Sequence, residues 1–120
     1  MDLFRRAEGG VGMLFVSLED FYEKAADCEV LSRQEEIDCA LRMKAGEAAA
    51  REQLIRSYTP MVARHVKRLH PPMQTLTAAL YCMNALEKAV DSFDFTQESE
   101  TFTHRLSWYL RQASVKYIVR

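Results

Sequence analysis

Glycine and proline are scarce in this chain, which has only 4 glycines and 3 prolines in 120 residues and no glycine after Gly46. A phosphate-binding loop of the Walker or dinucleotide type needs glycines at fixed spacing, and the sequence has no such motif. β-Sandwiches and barrels need frequent turns rich in Gly, Asn and Pro, which are missing as well. A long stretch without turn residues favours long helices instead.

Long apolar runs and paired cysteines are also lacking. The longest apolar run near the start, Met13–Val16, is too short for a membrane span or the core of a signal peptide. The cysteines Cys28, Cys39 and Cys82 are odd in number and far apart, which indicates a reducing, cytoplasmic setting. We expect each to be a small buried hydrophobe. The hydrophobic share of 48% and charged share of 28% indicate one globular domain rather than a disordered chain.

Signals of catalysis or metal binding are weak. The histidines His65, His70 and His104 have no metal-ligand spacing with one another or with cysteine. No Ser, Cys or Thr lies in a nucleophile turn, and the carboxylates Glu87 and Asp91, one helical turn apart, are typical of a solvated surface. We therefore predict a protein that is not an enzyme and that uses no metal and no cofactor.

The net charge of −1 hides a segregated charge pattern. No acidic residue occurs between Glu52 and Glu87, whereas 87–100 is predominantly acidic. Residues 101–120 carry four cations and no acid. Such blocks indicate either a polyanionic partner on one face or ordinary solvated helix surfaces.

Capping and periodicity signals predict about five helices and no strand. Residues 1–16 are expected to form a loose arm, Ser17 to cap a short helix, and Ser32 with Glu35 to form a capping box. Gly46 is the expected stop of the second helix. The fold class is all-α, one compact domain, with an N-terminal arm and short helix at 1–30 and a helical domain at 31–120.

The remaining helices follow from apolar stripes at helical spacing. A third helix is predicted from Glu47 to Leu69, with a kink or break near Tyr58 and Thr59 because Pro60 follows them. A fourth is marked by apolar positions from Leu76 to Phe93, and a last one is capped by either Thr101 or Thr103.

The predicted last helix interleaves aromatic rings with cations and amides over residues 102–112. This mixture suits unpaired nucleic acid, because bases stack on rings while phosphates meet arginine. Glutamine on a helix can also read an adenine edge in the major groove. The alternative is that Trp108 and Tyr109 belong to the core. Because adjacent helical residues point about 100° apart, we expect one of the two to reach the surface.

Five stretches resemble the second conserved region of bacterial RNA polymerase sigma factors of the sigma-70 family, in family order. The family patterns are L-S/T-x-E-E-E, K-x-G-D-x-x-A-R-x-x-L-I, the next helix, G-L-x-R-A-V-E-K-F-D and F-S-T-Y-A-x-W-W-I-R-Q-A. The matching stretches are Leu31–Ile37, Met43–Ile55, Met61–Leu69, Ala85–Asp94, and Phe102–Thr103 with Trp108–Ala113. The likeness covers residues 31–120 and implies the all-helical fold of sigma region 2.

The resemblance implies that the last helix faces the minus-ten promoter element as partly single-stranded DNA. Phe102, Trp108 and Tyr109 match aromatics that hold the melted strand and its upstream fork, and Gln112 matches a residue facing the duplex edge. Arg111 and Lys116 would meet phosphates, which position DNA without specifying sequence.

Two departures concern the positions that carry these roles. Arg105 occupies the place of the family tyrosine that stacks on a flipped base. In the family's polymerase-docking helix the polar series D-L-I-Q-E-G-N matches Thr77–Met83 here, so its Asp, Gln, Glu and Asn are all replaced. The residues expected to meet the clamp of core RNA polymerase are Thr77, Leu80, Tyr81 and Asn84.

Three functions remain open from the sequence. The first is a transcription initiation domain that binds the minus-ten element and core RNA polymerase, with an anti-sigma factor as a further candidate partner. The second is a sigma-derived DNA-binding regulator that no longer docks polymerase, and the third is a helical protein-interaction domain. No region for the minus-thirty-five element follows, so the chain is expected either to be a fragment or to lack that reader.

Overall fold

The computed structural model describes residues 14–119, which form five α-helices and one 3₁₀ turn without any strand in that range. The predicted all-α fold with five helices is confirmed. Most of the predicted N-terminal arm, residues 1–13, lies outside the described residues. In chain order the elements are α1 (Leu18–Ala26), α2 (Arg33–Lys44), α3 (Ala48–Lys67), the 3₁₀ turn (Pro71–Met73), α4 (Leu76–Ser92) and α5 (Phe102–Val119).

Hydroxyl caps begin four of the helices. Ser17, Ser32, Thr75 and Thr101 each accept the backbone N–H of the residue three positions further on. At Ser32 the Glu35 carboxylate accepts the Ser32 N–H in return, which completes the predicted capping box. Of the two caps considered for α5, Thr101 is the one used.

Gly46 forms the turn between α2 and α3, as predicted. Its φ of 98° lies in the left-handed region, which glycine enters without the clash that a Cβ brings. The Glu47 N–H donates to the Arg42 carbonyl at 3.0 Å, and the Ala45 N–H donates to the same carbonyl at 3.1 Å, so this acceptor at the end of α2 is satisfied.

Pro60 does not break α3, so of the kink or break predicted near Tyr58 and Thr59, the break is wrong. The helix runs without interruption from Ala48 to Lys67 with Pro60 inside it. Proline removes one backbone hydrogen bond, but the apolar side chains before and after it are fully buried, among them Ile55 and Val62. Burial of both halves on one core offsets the lost bond and keeps the helix whole.

The core forms around α3, against which α1, α2 and α4 pack, while α5 packs on α4. In α1 the side chain of Phe21 is 0% exposed, so this short helix belongs to the same globule as the helices after it. The largest fully buried side chains in the other helices include Leu54, Ile55, Leu86, Leu106 and Leu110.

The three cysteines are free thiols, with Cys39 and Cys82 buried and Cys28 half-buried. Burial raises the pKa of the Cys82 thiol to about 12, so this sulfur stays protonated. Between residues 14 and 119, no helix is both long and apolar enough to cross a membrane. In that same range, His, Cys, Asp and Glu side chains form no group of three suited to a metal ion.

Candidate nucleic-acid interface

Trp108 lies on the outward face of α5 with 50% of its surface exposed, whereas its neighbour Tyr109 is more deeply buried. The prediction that one of these two rings reaches the surface is therefore confirmed. The two ring centroids lie 5.3 Å apart at an interplanar angle of 86°. The Tyr109 hydroxyl and the Ser92 hydroxyl of α4 lie 3.1 Å apart, within hydrogen-bond distance. The two rings thus meet edge to face, and half of the Trp108 surface remains open to solvent.

Polar side chains suited to DNA follow Trp108 along the same helix. Arg111, Gln112 and Lys116 are all exposed. Residues three or four apart on a helix are neighbours, so Arg111 and Gln112 lie one turn beyond Trp108, and Lys116 one turn beyond Gln112. An exposed ring, an amide and two cations therefore share one side of α5.

Phe102 lies in the core and not on the surface, which corrects its predicted contact with DNA. Its side chain is only 4% exposed. It packs against Tyr58, Phe93 and Phe95 with centroid distances of 4.6, 5.3 and 4.9 Å. Four rings in contact bury a large apolar area, so Phe102 anchors the start of α5 and presents no free face to a base.

Arg105 is exposed but already paired. Its guanidinium lies 2.7 Å from a carboxylate oxygen of Glu100, and Nε donates to the same oxygen at 2.9 Å. The hydrogen bond to Glu100 raises the pKa of Arg105. Both residues line a shallow cleft of about 250 Å³ together with His104 and Trp108. Arg105 thus lies beside the exposed indole, but Glu100 neutralises its charge.

The four positions predicted to dock polymerase lie along α4. Thr77 is exposed, and Leu80, Tyr81 and Asn84 are half-buried. Tyr81 contacts Tyr117 of α5 edge to face, with ring centroids 5.6 Å apart. None of these side chains carries a charge, so this stretch offers hydrophobic and hydrogen-bonding contacts only.

A groove between α4 and α5 brings the two predicted surfaces together. Its volume is about 280 Å³. The side chains lining it from α4 include Tyr81 and Asn84, and those from α5 include Trp108, Gln112 and Lys116. A ligand in this groove would contact positions from both predicted sets.

Sequence reasoning missed Lys88, which also lines this groove and is exposed. Arg64 on α3 and Arg68 directly after it belong to the acid-free stretch between Glu52 and Glu87 that indicated a polyanionic partner, but they were not assigned to the candidate site. Both arginines are exposed. The basic surface therefore extends beyond α5.

Comparison with known proteins found no match among protein-family models, curated proteins or solved structures. The likeness to sigma region 2 therefore depends on the residues of stretches 31–37, 43–55, 61–69, 85–94 and 102–113 themselves.

Proposed function

We propose that this chain is a sigma-like transcription initiation domain that binds the minus-ten promoter element, partly as single strands, together with core RNA polymerase. The observation that carries the DNA-binding part is the half-exposed indole of Trp108, packed edge to face with Tyr109 and followed by Arg111, Gln112 and Lys116. An aromatic platform bordered by cations is the arrangement by which proteins hold unpaired bases and their phosphates.

Each side chain has a distinct part in this proposal. An unpaired base stacks on Trp108, and the guanidinium of Arg111 and the ammonium of Lys116 bind phosphates. Gln112 donates to and accepts from a base edge at the upstream duplex. Arg105 lies next to the stacking face and adds a cation there when Glu100 releases it. The domain acts by binding alone, without a metal or a cofactor.

Contact with the polymerase clamp is assigned to Thr77, Leu80, Tyr81 and Asn84 on α4. A second candidate function is favoured by the lack of charge at these four positions: a sigma-derived regulator that binds DNA but no longer docks polymerase. A helical protein-interaction domain without DNA binding is the third. The first function requires a cytoplasmic location, and an anti-sigma factor is a further candidate partner for the groove between α4 and α5.

Two binding assays separate these functions. The first is retention of core RNA polymerase on the immobilised protein, and the second is fluorescence anisotropy with a labelled single-stranded minus-ten oligonucleotide. Binding in both assays supports the initiation domain. Oligonucleotide binding without polymerase supports the regulator, and absence of both overturns the proposal in favour of a protein-interaction domain. A scrambled oligonucleotide of equal length is the control for sequence preference.

A further inference from the structure

Three arginines, one on α3, one directly after it and one on α5, have no partner, unlike the other arginines that the structure describes. Arg42, Arg51 and Arg105 form ion pairs with acids, Arg33 donates to a backbone carbonyl, and Arg56 also has an interaction partner. The arginine side chains without a hydrogen bond or ion pair in the range 14–119 are Arg64, Arg68 and Arg111, all of them exposed. We call this set the α3–α5 arginine cluster.

A hydrogen bond between α3 and α5 brings the cluster together. His65 Nε2 and Ser114 Oγ lie 2.8 Å apart. His65 directly follows Arg64 and lies one turn before Arg68, and Ser114 lies one turn after Arg111. The positive charges of Arg68 and Arg111 both lower the pKa of the His65 ring, which burial lowers most. Arg68, at the end of α3, and Arg111, on α5, therefore both lie near the His65 ring.

Among residues 14–119, no acid forms an ion pair with any of these three arginines. The sequence has no acidic residue between Glu52 and Glu87 or after Glu100. Like charges held close together without counter-charges destabilise the folded state, and a bound polyanion removes that cost. Arginine suits phosphate in particular, because its planar fork donates two parallel hydrogen bonds.

We propose that Arg64, Arg68 and Arg111 bind the phosphate backbone of duplex DNA, a site that lies beyond the aromatic platform of Trp108. The inference rests on the proposed function, because Arg111 lies one turn from Trp108 and so joins the two surfaces. A strand stacked on Trp108 continues past Arg111 as duplex and crosses the end of α3. The arginines fix the position of this duplex without reading its sequence.

The test compares a forked DNA, with duplex upstream of a single-stranded minus-ten segment, against the isolated single strand. Affinities are measured by anisotropy at several salt concentrations. For R64Q/R68Q we expect fork affinity to fall by about tenfold and the salt slope by about 1 to 2, because each lost phosphate contact removes about one unit. Affinity for the isolated strand stays at the wild-type level. Circular dichroism and urea unfolding show that the variant is folded.

The matched control is R33Q/R42Q, which removes the same charge from exposed arginines that already have partners. Equal losses in the two double variants, or an equal loss on the isolated strand, would overturn the site. Unchanged fork affinity in R64Q/R68Q would overturn it as well. So would the finding that R64Q/R68Q binds anionic lipid vesicles less tightly than wild type does but binds the fork equally well. If wild type binds the single strand through Trp108 but the arginines have no effect, only this inference fails. If wild type binds neither DNA, the proposed function fails with it.

Discussion

Trp108 and Tyr109 are adjacent in sequence, but Trp108 is the more exposed of the two, and the Tyr109 ring stands at 86° to it. Tyr109 turns towards α4, where its hydroxyl lies 3.1 Å from that of Ser92. The orientation of the exposed indole is thus set by a half-buried neighbour. A platform held in place before binding loses little rotational freedom when a base stacks on it.

Phe102 is expected to contribute to stability and not to DNA contact. Because its ring packs on Tyr58, Phe93 and Phe95, Phe102→Ala should lower the free energy of unfolding by about 3–5 kcal/mol, measured by urea denaturation. Phe102→Leu should cost less and leave affinity for the minus-ten strand unchanged. Full stability of Phe102→Ala together with lost DNA affinity would return this residue to the interface.

Glu100 is expected to restrain DNA binding. Glu100→Gln removes the ion pair with Arg105 and a negative charge beside Trp108, so the single-stranded oligonucleotide should bind severalfold more tightly. Glu47→Gln breaks the comparable exposed ion pair with Arg42 and changes the net charge equally. A similar gain in both variants, measured by anisotropy, would show a general charge effect and contradict a local role of Glu100.

His65 is expected to make stability depend on pH. Burial, Arg68 and Arg111 hold its pKa below the ordinary 6.5, so the unfolded chain binds this proton more tightly than the folded one. The groups that act on the ring are Ser114 and Arg111 of α5 and Arg68, which directly follows the last residue of α3. The contribution is complete above pH 6.5 and is lost as pH falls below that value towards the folded pKa.

Urea unfolding between about pH 8 and pH 5 measures this effect above the range in which carboxylates titrate. Wild type should lose stability over the lower part of this range, and His65→Gln should lose clearly less. Parallel pH profiles for the two proteins would contradict the assignment to His65.

The turn at Gly46 gives a direct test of a backbone requirement. Its φ of 98° disfavours any side chain, although a Cβ there would have no atom within 4 Å. Gly46→Ala should therefore cost about 1–2 kcal/mol of stability from conformation alone. Gly46→Asn should cost less, because asparagine tolerates this conformation better. Equal unfolding free energies for wild type and Gly46→Ala would show that the turn relaxes.

Local signals predicted the helix boundaries well, because each depends on residues close in sequence. The Ser32 capping box and the Gly46 stop are examples. Of the kink or break predicted near Tyr58, the break is wrong, because proline weakens a helix locally whereas burial on both sides of Pro60 is a tertiary effect. Such effects do not show in the spacing of apolar residues.

The candidate site was predictable only in part. The exposure of one ring among Trp108 and Tyr109 follows from helical geometry. The burial of Phe102 depends on rings from α3 and the loop after α4, and the pairing of Arg105 with Glu100 depends on the path of that loop. The arginine cluster required two helices to meet at His65 and Ser114, which no sequence spacing indicates.

The most direct test of the central claim is the affinity of Trp108→Ala for a single-stranded minus-ten oligonucleotide, measured by fluorescence anisotropy. Val115→Ala is the matched control, since Val115 is equally exposed on α5 but cannot stack on a base. We predict that Trp108→Ala weakens binding by about 1–3 kcal/mol and that Val115→Ala binds as wild type does. Wild-type affinity in a folded Trp108→Ala protein would contradict the stacking role and with it the proposed interface.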